Sequence, residues 1–105
     1  MAKINALAME LAQKFLEKLR EQGIKTESAY LFGSYAKGTE HKWSDIDVAV
    51  ISSDFSDDRF REGVRLMTLS CEIDSRIEPV PFRPENFVDE DPLAYEIKRS
   101  GLPLI

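Results

Sequence analysis

The stretch Leu31-Phe-Gly-Ser-Tyr-Ala-Lys-Gly-Thr-Glu-His-Lys-Trp-Ser-Asp-Ile-Asp-Val-Ala-Val-Ile51 decides the fold of this 105-residue chain. One apolar run ends at Gly33-Ser34, a ten-residue spacer follows, and a second apolar run begins with Asp45-Ile46-Asp47. In an extended strand residues i and i+2 share a face, so both carboxylates project to one side, roughly 6.5 Å apart along the chain. Two acids that close repel each other unless a cation lies between them. Across the spacer, Gly33 follows a strand and Ser34 opens a helical turn, which leaves backbone N–H groups free to meet an anion. Glycine also lets phosphate oxygens approach closely.

Working outward, residues 3–22 place Ile4, Leu7, Ala8, Leu11, Ala12, Phe15, Leu16 and Leu19 at three- and four-residue intervals, the pattern of one amphipathic helix that stops at Gly23. Residues 26–32 and 45–52 read as strands flanking the glycine-serine turn. Polar residues 53–58 make a loop and an N-cap, after which Phe60, Val64, Met67 and Cys71 recur on one face of a helix over 59–72. Residues 74–82 alternate, with Arg76, Glu78, Val80 and Phe82 on one side and Ser75, Ile77, Pro79 and Pro81 on the other. Two prolines place this strand beside a sheet edge or near its own end. Pro92 starts a final helix that stops at Gly101, and the tail 102–105 is too short to assign. The order predicts a small α/β or α+β domain with a three-stranded sheet flanked by helices.

Hydrophobic residues at 43% and charged residues at 31% give a globular balance, and no apolar run approaches the roughly 20 residues of a membrane span. The N-terminus has no signal-peptide pattern, so the expected location is the cytoplasm. A net charge of −5 counts against binding nucleic-acid phosphates. The single cysteine, Cys71, excludes an internal disulfide, and its helical spacing predicts an inert buried thiol.

The Ser34 hydroxyl and the Lys37 ammonium can add donors to phosphates at the turn, as can Ser44, while Gly38 lets the chain turn back. Magnesium is commonly held by one or two carboxylates together with substrate phosphates, and Asp45 and Asp47 supply that minimum. A two-metal site generally calls for a third carboxylate; Glu78 is the first candidate, with Asp74 and Glu72 behind it. Gly33 to Gly38 has the Walker A glycine spacing, but Thr39-Glu40 stands where Lys and Ser/Thr belong, so the P-loop reading fails. His41 sits in a polar spacer and is not needed as a base, and Trp43 and Tyr35 read as packing or interface residues.

Gly33-Ser34, ten residues and then Asp45-Ile46-Asp47 resemble the signature of the polymerase β-like nucleotidyltransferase superfamily, and in particular its minimal nucleotidyltransferase members. Ile77-Glu78-Pro79 falls where that family places its third acidic motif, and the helix end Ile97 to Gly101 is similar too. The resemblance covers nearly the whole chain, so residues 1–105 are expected to be a single domain. It implies transfer of AMP from ATP to a hydroxyl with magnesium, two ions being expected. Gly33 and Ser34 would bind the triphosphate; Asp45, Asp47 and Glu78 would hold the metals. Many relatives have Asp in place of Glu78. Stand-alone members resemble antitoxins paired with a HEPN-domain ribonuclease toxin, which they adenylylate on tyrosine. Two other readings stay open: a catalytically silent antitoxin that acts by binding, and a small-molecule nucleotidyltransferase acting as a dimer.

Overall fold

The computed structural model describes residues 2–38 and 45–105. Its elements are α1 (Ala2–Glu21), β1 (Ser28–Phe32), α2 (Ser34–Lys37), β2 (Ile46–Ile51), α3 (Arg59–Cys71), β3 (Ile77–Phe82), α4 (Pro92–Ser100) and β4 (Leu102–Pro103), with a 3-10 turn at Pro84–Asn86. The strands form one mixed sheet in the order β3-β2-β1-β4. β1 runs antiparallel to both β2 and β4, whereas β2 and β3 are parallel, joined through α3.

The sheet has four strands where the sequence predicts three. The tail that carries no local signal is held by long-range contacts: Leu102 lies opposite Leu31, the Leu104 N–H donates to Ala29 O at 2.8 Å, and Gln13 Nε2 donates to Leu104 O at 2.7 Å. The two prolines of β3 do sit on an edge strand, where a missing N–H costs no ladder bond toward solvent.

Strand alternation divides the core between the two faces of the sheet. One face carries Leu31, Ile46, Val48, Val50 and Ile77, and packs against Ala8, Ala12, Phe15, Leu16 and Leu19 of α1 and Leu66 of α3. The other carries Phe32, Ala49, Ile51 and Phe82, and packs against Ala94 and Ile97 of α4. Asp58 caps α3, its side chain accepting from the Arg61 N–H at 3.0 Å, and Asp91 caps α4 through the N–H groups of Leu93 and Ala94.

The core face of α3 is not the expected one. Phe60 is 82% exposed, Val64 50% and Met67 37%, and Cys71 is exposed, so it is not a buried thiol. The helix buries Glu62, Leu66 and Ser70 instead. Two of those three are polar and are satisfied locally: the Glu62 carboxylate accepts the Ser56 N–H at 2.8 Å, and Ser70 Oγ donates to Met67 O at 3.0 Å. Among the described residues no helix is long and apolar enough to cross a membrane.

Candidate functional site

Antiparallel pairing puts Phe32, the last residue of β1, opposite Asp47, so Gly33 leaves the strand beside that carboxylate. Gly33 has φ +77° and ψ −147°, a conformation that disfavours any side chain. The space is also taken: a Cβ at Gly33 would fall on Asp47 Oδ2. The glycine therefore makes room for the acid. Ser34 then opens α2, and Gly38 closes it in the left-handed region at φ +74°, its N–H donating to Ser34 O.

Asp45 is exposed at the head of β2 and Asp47 is half-buried two residues on. Parallel pairing sets Asp47 beside Glu78 of β3, which is exposed. By alternation Asp47 and Glu78 stand on the face that α4 covers, at the end of the sheet that Gly33 also reaches. Burial raises the Asp47 carboxyl from its ordinary 3.8 to about 6, with the negative charges of Asp45 and Glu78 adding to the effect.

The other two acids named as third carboxylates are engaged elsewhere. Asp74 makes a two-pronged bond with Arg76, from Nε and Nη2 at 3.1 Å each, and also accepts the Arg76 N–H at 2.8 Å. The Arg76 bonds hold its carboxyl below the usual range. Glu72 pairs with Lys18 at 2.6 Å. Arg76 in turn anchors the site strand, because its carbonyl accepts the Ile46 N–H at 2.8 Å. Neither role has a sequence signal beyond the i, i+2 spacing of Asp74 and Arg76.

Tyr35 is 4% exposed and belongs to the core, which is the packing role. Ser44, His41 and Trp43 lie outside the described residues, as does the side chain of Lys37. The last turn of α4, which carries Lys98 and Arg99, leads through Gly101 into β4, so it comes to the sheet end where β1 meets Gly33. A cavity of ≈ 470 Å³ there is lined by Tyr95, Glu96, Arg99 and Ser100.

Among the described residues no three His, Cys, Asp or Glu side chains converge into a ready-made cation cage. Asp45, Asp47 and Glu78 gather at one end of the sheet, where burial chiefly, and the charges of Asp45 and Glu78 in addition, disfavour the ionised form of Asp47. Hard oxygen donors in that state suit a divalent cation such as magnesium, whose charge would relieve the strain.

A family model described as a nucleotidyltransferase domain matches residues 12–100. The protein adenylyltransferase MntA of Shewanella oneidensis is 39% identical over 70 residues, 67% of this chain and 50% of that protein. The chain thus spans about half the length of the curated relative it matches. Of solved structures, a toxin–antitoxin with AMP-PNP is 31% identical with a TM-score of 0.63, covering 90% of this chain and 72% of that one. A Sulfolobus solfataricus structure, 18% identical with a TM-score of 0.65 over 87% of this chain and 78% of that one, shares the fold.

Proposed function

We propose that this chain, which belongs to the nucleotidyltransferase domain family, transfers AMP from ATP to a tyrosine hydroxyl of a HEPN-domain toxin and so acts as its antitoxin. The observation that carries this reading is the group Asp45, Asp47 and Glu78 at one end of the sheet, with Gly33 fitted against Asp47. The S. oneidensis relative supports the adenylyl group and a protein acceptor, and the AMP-PNP-bound toxin–antitoxin supports the nucleotide and a toxin partner.

Asp45, Asp47 and Glu78 would hold two magnesium ions, which when bound supply activation of the attacking oxygen and neutralisation of the leaving pyrophosphate. The chain's own groups do the positioning. The N–H groups of the Gly33-Ser34 turn and the Ser34 hydroxyl bind the triphosphate, with Lys37 and Ser44 as further donors. Gly33 leaves the space that Asp47 occupies, and Arg76 fixes the head of β2 through Ile46. The residues thus align the α-phosphorus for in-line attack, the arrangement a phosphoryl transfer demands. The proposed setting is the cytoplasm, with residues 1–105 acting as one domain.

The test is incubation of the chain with α-labelled ATP, magnesium and a candidate HEPN-domain toxin. Label on the partner, lost in Asp45→Asn and Asp47→Asn, is the expected result. Absence of label, or protection of cells by the double variant as complete as by the native chain, would overturn transfer as the mechanism.

A further inference from the structure

Asp45 is exposed and precedes β2, so the ladder to β1 does not hold it. What fixes the chain between it and Asp47 is a bond on the other side: the Ile46 N–H donates to Arg76 O at 2.8 Å. That bond opens the β2–β3 ladder, which Ser52 N–H and Phe82 O close at 3.0 Å, and the register it starts is the one that brings Glu78 beside Asp47.

A clasp two residues upstream aims the Arg76 carbonyl. Asp74 Oδ1 accepts the Arg76 N–H at 2.8 Å and its Nε–H at 3.1 Å, Oδ2 accepts from Nη2 at 3.1 Å, and Asp74 O accepts the Ile77 N–H at 3.2 Å. Together these bonds restrict the dihedral angles on both sides of that carbonyl, and a two-pronged guanidinium–carboxylate pair is among the strongest hydrogen-bonded pairs. The two side chains are only 35% and 22% exposed, so water competes with this pair less than with an ordinary surface one. The Asp74 N–H donates to the carbonyl of buried Ser70 at 2.9 Å, which ties the clasp to α3.

We infer that Arg76, clasped by Asp74, is a positioning residue that sets the affinity of the site for a divalent cation. It binds no cation itself; it holds Asp45 and Asp47 at a fixed spacing by gripping the N–H of the residue between them. This role rests on Asp45, Asp47 and Glu78 being the metal-holding acids, as proposed above. Charge and position predict opposite signs here. Removing a positive charge from this end of the sheet would by Coulomb's law strengthen cation binding, whereas losing the clasp weakens it. Partners that orient metal ligands from outside are worth roughly 10–100-fold in affinity, and one that acts through the backbone belongs at the lower end.

Manganese alone, titrated into the chain and followed by electron paramagnetic resonance, reads this without turnover. The native chain should bind it and the Asp45→Asn, Asp47→Asn double variant should not. Arg76→Gln should bind about tenfold more weakly, Asp74→Ala to a similar extent, and the two together no worse than either alone, because they break one unit. Arg76→Lys, the milder change, keeps the charge but not the two-pronged grip and should also weaken binding. In Arg76→Gln, amide hydrogen exchange should speed up at Ile46 and not at Val48. Asp58→Ala removes a helix cap at the opposite end of β2 and should leave manganese affinity native, which separates positioning from a general loss of stability. An Arg76→Gln chain that binds manganese as tightly as the native one, an unchanged Ile46 exchange, or equal weakening by Asp58→Ala would overturn the role of the clasp and leave the acids as the metal site. A native chain that binds no manganese would overturn the metal site itself, and the clasp's role with it.

Discussion

Replacing Asp47 by Asn should make the protein more stable while abolishing the proposed transfer. The carboxyl titrates at 3.8 in its ordinary state and at about 6 in the fold, chiefly because it is partly buried and secondarily because Asp45 and Glu78 repel its charge. The gap is worth about 3 kcal/mol at 1.36 kcal/mol per unit. Asp47 retains some contact with water, and solvent screening reduces this to about 1–2 kcal/mol. The unfolded chain loses this proton near 3.8 and the folded chain near 6, so the folded state holds the extra proton between them. Stability is lost as pH rises through that window, and above it the penalty is complete. Asn has the same shape and no charge. Its advantage should be full at pH 7.5, about a fifth of that at pH 4, and should raise Tm by about 5–10 °C at neutral pH. Urea denaturation of both proteins at the two pH values measures it. Magnesium should narrow the difference, because a cation that binds only the native acids stabilises the native protein more than the variant. A variant that is no more stable at pH 7.5, or whose gain is as large at pH 4, would refute the account of Asp47 as a strained acid.

Three further outcomes follow from the packing. Gly33→Ala adds a Cβ where Asp47 Oδ2 stands and forces a side chain to φ +77°; it should cost about 1–3 kcal/mol in denaturant unfolding and remove the proposed transfer, since the acid must move. Leu66→Ala should cost about 2–5 kcal/mol, whereas Val64→Ala two residues away should change stability by less than about 0.5 kcal/mol when measured at low concentration. Asp58→Ala should cost about 1 kcal/mol by thermal unfolding, because it leaves the Arg61 N–H at the start of α3 without its acceptor.

The Leu66 and Val64 contrast bears on how far the sequence is readable. Helix α1 and strand β2 follow from periodicity alone, since their apolar residues outnumber any rival face. On α3 the periodic signal points outward: Phe60, Val64, Met67 and Cys71 form the more hydrophobic stripe, and the buried face includes Glu62 and Ser70. Burying a carboxylate is normally costly. Here the loop before the helix brings the Ser56 N–H onto Glu62, and Arg65 stands 3.6 Å from it, so the acid is stabilised and its value drops. Those partners exist only once the loop has folded back, and no count of apolar positions contains them.

The site divides along the same line between local and long-range information. Gly33, Ser34, Asp45 and Asp47 are legible because one turn and one strand contain them, and their chemistry depends on spacing within a short segment. The third acid is not local. Glu72, Asp74 and Glu78 are near-equivalent in sequence, and what separates them is pairing: Lys18 of α1 holds Glu72, Arg76 holds Asp74, and the parallel register of β2 and β3 brings Glu78 beside Asp47. The two engaged acids gain partners whose charges cancel theirs, while Glu78 adds to the repulsion felt by Asp47. A fold gains nothing in stability from setting that third negative charge beside two others. That placement is what the proposed metal site would call for, and Glu78→Gln should lower the Asp47 value by a small part of its elevation, since burial and Asp45 contribute more, measurable by carboxyl carbon NMR.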